Sequence, residues 1–158
     1  MHIPDHYEFI CPVKINSGHR ALDHLPFELD ALNAFKPLVL TTKEISGKGC
    51  ADILIDAFAD SGMAAGIFDA VPASPDISLI RELSRIYTEK GFDAIIALGY
   101  GTAADTAKAL NIVVSGKPED LAVSAGENRL SKPLRPFVFV PAGCTDGLEV
   151  SNFAALAG

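Results

Sequence analysis

Asp93-Ala94-Ile95-Ile96-Ala97-Leu98-Gly99-Tyr100-Gly101-Thr102-Ala103-Ala104-Asp105-Thr106-Ala107-Lys108-Ala109-Leu110-Asn111 changes its periodicity halfway along. Ile95 to Leu98 is an unbroken apolar run, the pattern of a strand covered on both faces. Beyond Gly101 the apolar residues recur at helical spacing. Between the two, Gly99, Gly101 and Ala104 fit the spacing G-x-G-x-x-G/A. In such a turn glycines let the backbone bend tightly, and the helix that follows points its first free N–H groups at an anion. Thr102 suits the N-cap of that helix, and Asp105, three residues later, makes a capping-box arrangement with Asp in place of Glu. A strand-to-helix turn that needs glycine for packing alone has the same spacing, so the motif by itself leaves both readings open. The acidic ribose partner expected about 20 residues on falls at Glu119-Asp120, behind Gly116-Lys117-Pro118, a stretch that reads as a solvated loop. A nucleotide bound at this turn takes its ribose contacts from elsewhere.

The 158 residues suit one domain with a sizeable core. Apolar residues make up 49% and charged residues 21%, the balance of a folded chain. A net charge of −7 offers nucleic acid no electrostatic footprint. No apolar run approaches the ~20 residues of a membrane helix, and the first residues lack the basic and apolar regions of a signal peptide. Cys11, Cys50 and Cys144 are an odd, scattered set with no C-x-x-C pair, which points to a reducing compartment and to the cytoplasm.

Strands and helices alternate along the rest of the chain. Residues 7–15 alternate as a strand, held to a sheet edge by Pro12. From Arg20 to Phe35 two short helical pieces are expected, divided at Pro26. Pro37 to Thr42 reads as a buried strand, 49–59 as a helix with Leu54 and Phe58 stacked four apart, and Gly66-Ile67-Phe68 as a short strand. Ser74-Pro75-Asp76 reads as a helix start with Ser74 as N-cap. The stripe Leu79, Leu83 and Ile86 is then expected inward, with Gly91 as the stop. After the central strand, turn and helix, Phe137 to Val140 reads as one more buried strand leading into Pro141-Ala142-Gly143-Cys144-Thr145-Asp146-Gly147. The pattern predicts an α/β fold, a Rossmann-like parallel sheet with helices on both faces, preceded by an N-terminal edge strand or hairpin. Ligands of such sheets sit at the carboxyl ends of the strands. Here those ends are Thr41-Thr42, the loop 71–75, Gly99 to Thr102 and Pro141 to Gly147, so four loops converge on one crevice.

Other chemistry finds little support. His2, His6, His19 and His24 all lie in the first 24 residues without H-E-x-x-H spacing. Ile45-Ser46-Gly47-Lys48-Gly49 falls short of a P-loop, because Gly49 replaces the hydroxyl that holds Mg²⁺ and Thr42 stands at the first glycine. Cys144 has no base near it in sequence and reads as a small loop residue. Asp146 and Glu149, three apart, read as a helix cap.

The two glycine-bearing loops resemble those of the iron-containing (group III) alcohol dehydrogenases, whose hallmarks are a G-G-G-S-x-x-D-x-A-K turn and a later P-T-T-x-G-T-G-S-E loop. The first corresponds to Gly99 through Lys108, the second to Pro141 through Glu149, and the resemblance extends over essentially all of the chain. It implies the N-terminal, dehydroquinate synthase-like nucleotide-binding domain of that family, here residues 1–158. The family's helical domain, which carries the Asp and His ligands of a divalent iron or zinc, is expected to be absent from this chain, so the chain alone is not catalytically complete. Hydride transfer between NAD(P) and a small alcohol or aldehyde is the implied activity, with no catalytic or metal-binding residue among these 158. Gly99, Tyr100, Gly101 and Thr102 would hold the pyrophosphate, Asp105 would brace the turn, Thr42 would face the adenine ribose, Ser74 would stand in the neighbouring loop, and Ala142, Gly143 and Thr145 would lie along the nicotinamide side.

The departures carry consequences. Tyr100 replaces the family's middle glycine, where its ring either obstructs the phosphates or turns outward. Thr42 stands where many NAD-using members have an Asp, which lifts a repulsion against a 2′-phosphate and favours NADP slightly over NAD. Ser74 replaces a frequent Asn, and Ala142 and Gly143 replace two threonines that touch the cofactor. The alternative reading is a stand-alone, non-catalytic module that binds a nucleotide, a phosphorylated metabolite or a partner chain. Glycerol dehydrogenase and maleylacetate reductase relatives share the first turn but fit the Asp105–Lys108 stretch less well. The expected partners are a dinucleotide and either a helical domain or a second copy packed on the crevice side, with neither nucleic acid nor membrane among them.

Overall fold

The computed structural model describes residues 13–116, 132–144, 147, 148, 150, 151 and 154–157. A 3₁₀ turn at Ala21–His24 leads into α1 (Leu25–Ala31). The elements that follow are β1 (Pro37–Leu40), α2 (Lys43–Gly47), α3 (Cys50–Asp56), β2 (Gly66–Phe68), α4 (Ile77–Lys90), β3 (Ala94–Gly99), α5 (Gly101–Ser115) and β4 (Phe137–Pro141). The four strands form one parallel sheet in the order β2-β1-β3-β4. β1 and β3 are central and carry no exposed residue.

Alternation along those two strands divides the core. Leu38, Leu40, Ile95 and Ala97 face α4 and α5, where they meet Leu83, Tyr87, Ala107 and Leu110. Val39, Ile96 and Leu98 face the other way, onto Leu25 and Leu29 of α1, Ile45 of α2 and Leu54 of α3. Helices therefore cover both faces of the sheet, the α/β Rossmann-like fold that the alternating pattern predicts. The continuous apolar runs follow from this double cover, since a strand buried on both faces has no polar side.

Several local expectations are corrected. The expected edge strand lies mostly outside the described residues, at 7–12, and Val13 to Ile15 are not in a strand. Pro26 does not break α1 but sits in its first turn, where its missing N–H costs nothing. The helix expected over 49–59 is shorter, and an unforeseen α2 precedes it. Thr42 caps α2 by accepting the Ile45 N–H at 3.3 Å, and a single buried apolar residue, Ile45, anchors it, too little periodicity to read from sequence.

On α4 the cap is Asp76, which accepts the Leu79 N–H at 2.9 Å, rather than Ser74. Tertiary pairing explains the shift. Asp76 forms a parallel bridge with Ala157, and the Pro75 carbonyl accepts the Ala157 N–H at 2.8 Å, so this segment stays extended up to Asp76. The inward stripe becomes Ile80, Leu83 and Tyr87, with Leu79 and Ile86 half-buried at its flanks. β4 is half-buried rather than buried, because it is the outer strand next to β3.

Two polar devices set the sheet's register. At its amino end the Asp93 carboxylate accepts the N–H groups of Phe35 and Lys36, both at 2.8 Å, fixing the entry to β1 beside β3. Buried Asn111 on α5 donates to the Arg135 carbonyl at 3.0 Å and accepts its N–H at 2.9 Å, holding the approach to β4. Tyr87 is a contrasting case: its hydroxyl is buried without a partner among the described residues. Burial pushes this phenol up to about 12, with Arg135 lowering and Asp93 raising it to smaller extents. The unfolded chain ionises near 10, so above that pH it releases a proton that the folded chain keeps, and stability falls as the pH rises from 10 towards 12. Tyr87→Phe is expected to flatten this decline in urea melts across that range, with little change at pH 7.

Candidate functional site: the crevice between β1 and β3

The order β2-β1-β3-β4 reverses direction between β1 and β3. From β1 the chain crosses to β2 on one side, and α4 then carries it back over β1 to β3 on the other. At such a switch point the loops leaving the two strands part and open a crevice beyond their carboxyl ends. The chain leaves β1 through Thr41-Thr42 into α2, and leaves β3 through Gly99-Tyr100 into α5.

The β3–α5 turn leaves its backbone uncovered. α5 has no side-chain cap: Tyr100 occupies the N-cap position with extended backbone (φ −119°, ψ −162°), where Thr102 had been expected. Thr102 is instead the second helical residue, and its carbonyl accepts the Thr106 hydroxyl at 2.7 Å. Asp105 is half-buried one turn into α5 and does not close a capping box, so the brace expected from it is absent. Without a cap, the first N–H groups of a 15-residue helix keep their partial positive charge for another acceptor.

Gly99 has φ +133°, a conformation that residues with a Cβ rarely adopt, and a Cβ there would sit 3.4 Å from Ile45 Cγ1. Gly101 has an ordinary backbone, but a Cβ on it would come 3.2 Å from Leu148 Cδ1. One glycine thus serves the bend and the other the close approach. The sequence does not reveal Ile45 and Leu148 as the side chains flanking them.

The loop after β4 closes against this turn. The ladder continues past β4 with the Ala142 N–H donated to the Gly99 carbonyl at 3.2 Å. Lys108 reaches across from α5, its Nζ donating to the carbonyls of Leu148 at 2.7 Å and Ser151 at 2.9 Å. Tyr100 leans the same way. Its ring lies against Gly143, and its hydroxyl makes a long 3.4 Å bond to the Ala142 carbonyl. The ring therefore rests on the β4 side of the turn, away from β1, which settles which way this bulky replacement points.

Of the residues singled out from sequence, Gly99, Tyr100, Gly101, Ala142 and Gly143 come together, and Thr42 stands across the switch point at the start of α2. Its hydroxyl oxygen accepts from Ile45, leaving its own O–H to donate. Ser74 is exposed in the loop between β2 and α4. Thr145 lies outside the described residues. Thr41, already expected at this strand end, is fully buried there, and its hydroxyl has no partner among the described residues. Two lysines near it were not singled out from sequence as site groups. Exposed Lys43 follows Thr42. Lys48 pairs with Glu44 at 2.6 Å, and that hydrogen bond first, with smaller contributions from Tyr100 and Cys50, holds its ammonium above the usual lysine range.

Among the described residues no three His, Cys, Asp or Glu side chains converge as a metal site. Cys50 and Cys144 are free thiols. No helix among the described residues is long and apolar enough to cross a membrane.

The sequence model of the iron-containing alcohol dehydrogenases matches residues 12–157. The chain belongs to that family. The choline dehydrogenase of Bacillus subtilis is 28% identical over 152 residues, which are 95% of this chain and 38% of that protein. The NAD-dependent methanol dehydrogenase of Bacillus methanolicus is 25% identical over 150 residues, 94% of this chain and again 38% of the relative. Among solved structures, an iron-containing alcohol dehydrogenase of Thermotoga maritima superposes with a TM-score of 0.80 at 26% identity, covering 95% of this chain and 42% of that one. The chain thus spans about two-fifths of the length of these family members, as their N-terminal portion.

Proposed function

We propose that residues 1–158 form the NAD(P)-binding domain of a metal-dependent alcohol dehydrogenase that transfers hydride between the nicotinamide and a small alcohol or aldehyde. The observation that carries this reading is the uncapped N-terminus of α5 at the β1/β3 switch point, with Gly99 and Gly101 leaving bare backbone in front of it. A pyrophosphate laid there receives the first N–H groups of α5. Thr42, across the crevice, donates its O–H to the adenosine ribose. With no carboxylate at Thr42 and a lysine at Lys43, that end of the crevice accepts a 2′-phosphate, so NADP is the preferred cofactor over NAD. Ala142 and Gly143 lie on the nicotinamide side, and Thr145 belongs to the same loop.

In this family chemistry the nicotinamide carries the hydride, and a divalent iron or zinc polarises the substrate oxygen. By the family resemblance the ligands of that metal belong to a helical domain, and that domain packs over the crevice. Where that domain is missing, a second copy of this chain is the alternative cover. The free thiols Cys50 and Cys144 accord with a reducing, cytoplasmic setting.

Calorimetric titration with NADPH and NADH tests the reading. The expected result is micromolar binding with NADPH the tighter. No heat from either at millimolar ligand would overturn the dinucleotide site. Loss of the two hydroxyl donors at Ala142 and Gly143, each worth about 1 kcal/mol, favours a non-catalytic phosphometabolite- or partner-binding module as the second reading in that case.

A further inference from the structure

Tyr100 has no role in holding its own turn. It occupies an N-cap position but caps nothing, and its extended backbone places no demand for any particular residue. The residue is 38% exposed. The remainder is covered by the neighbouring loop: a Cβ built on Gly143 would fall 3.0 Å from Tyr100 Cε1 and 3.2 Å from its hydroxyl oxygen. The ring thus occupies the room that a side chain at 143 would need. Pro141-Ala142-Gly143 offers one methyl group and no side-chain donor, so beside these three residues the aromatic face and the hydroxyl come from position 100. The hydroxyl's bond to the Ala142 carbonyl, at 3.4 Å, is long enough to be exchanged for a better one.

The sheet order says which part of a ligand would meet this ring. β1 and β4 flank β3 on opposite sides. A dinucleotide with its pyrophosphate on α5 and its adenosine ribose towards Thr42 sends its other half to the β4 side, where Tyr100 lies. We infer that Tyr100 is the specificity-determining group for the nicotinamide-riboside half, its ring stacking on that half and its hydroxyl replacing the donors that Ala142 and Gly143 lack. Gly143 is glycine because Tyr100 needs the space. This rests on the dinucleotide reading above, and makes positions 100 and 143 a coupled pair.

The test compares each cofactor with its fragment lacking nicotinamide: NADH with ADP-ribose, and NADPH with 2′-phospho-ADP-ribose. Calorimetry is run on the 158-residue chain and on Tyr100→Gly, Tyr100→Phe, Gly143→Thr and the Tyr100→Gly/Gly143→Thr pair. Tyr100→Gly is expected to weaken the intact cofactor about tenfold and the fragment less than about twofold. Tyr100→Phe should retain the stacking share of the tenfold effect and lose only the hydroxyl's share. Gly143→Thr should displace the ring and match Tyr100→Gly, and the double variant should be no weaker than either single one. Equal losses for cofactor and fragment, or single effects that multiply in the double variant, would overturn the assignment while leaving the dinucleotide site standing. A wild-type chain that binds neither cofactors nor fragments would remove the site itself, and this inference with it.

Discussion

Gly101→Asp is expected to abolish dinucleotide binding, weakening it by at least about 100-fold, while leaving the melting temperature unchanged or slightly higher. The two effects have opposite signs because they act on the same partial charge. Gly101 is the first residue of α5, where an Asp carboxylate interacts favourably with the helix dipole and satisfies an unpaired N–H. That carboxylate then stands where the pyrophosphate would lie. Two like charges about 4–5 Å apart at a partly exposed site repel by roughly 3–4 kcal/mol, more than the two decades require. The added side chain also comes close to Leu148, but only at the end of a flexible side chain, which can move aside. Calorimetry with NADPH and a thermal melt on the same preparation check the prediction. A fall in melting temperature parallel to the loss of binding would show that Gly101 is structural and not a ligand-facing position.

Gly99→Val is expected to act in the reverse order, with stability lost first. At φ +133° a β-branched residue carries backbone strain of about 1–3 kcal/mol. Its Cβ also starts 3.4 Å from Ile45 Cγ1, so the two methyl groups beyond it press into the base of α2, adding about 1–3 kcal/mol of overpacking. Together these amount to roughly 2–6 kcal/mol, or a fall of about 4–24 °C in melting temperature for a chain of this size. Differential scanning calorimetry measures this directly, and a fall under about 3 °C would mean the turn relaxes into another conformation without cost. Measured against Ile45→Ala alone, which carries its own cavity cost, Gly99→Val should lose the packing share and keep the backbone share.

The difference between these two glycines shows what was legible in the sequence. Both belong to one motif, and the motif locates the bend between β3 and α5. The parallel α/β sheet with helices on both faces and the membership of the family follow from apolar runs and short local signals that survive in one dimension. The misread features depended on distant chain. Ser74 and Asp76 are each competent caps, and the choice between them was made by Ala157, some eighty positions away. The inward stripe on α4 keeps Leu83 but takes Ile80 and Tyr87 in place of their neighbours Leu79 and Ile86. Thr102 looked like a cap because hydroxyl residues usually are, yet the cap lies two residues earlier, at Tyr100, and the helix begins at Gly101. Which way the Tyr100 ring points was open in sequence and was decided by the absence of a Cβ at Gly143. Ile45 and Leu148 gave no signal at all, since a residue that shields a glycine from afar is marked by nothing but apolarity.

Lys108 has a consequence for how this site can change. It fastens the β4 loop through main-chain carbonyls, at Leu148 and Ser151, and a carbonyl is supplied by whatever residue stands at those positions. The fastening is therefore indifferent to the loop's side chains. Ala142 and Gly143 can differ from the threonines of the family without loosening the loop. The same anchorage makes this rim a place where a lineage, or an engineer, can trade side chains for new ligand preferences while the frame beneath keeps its shape.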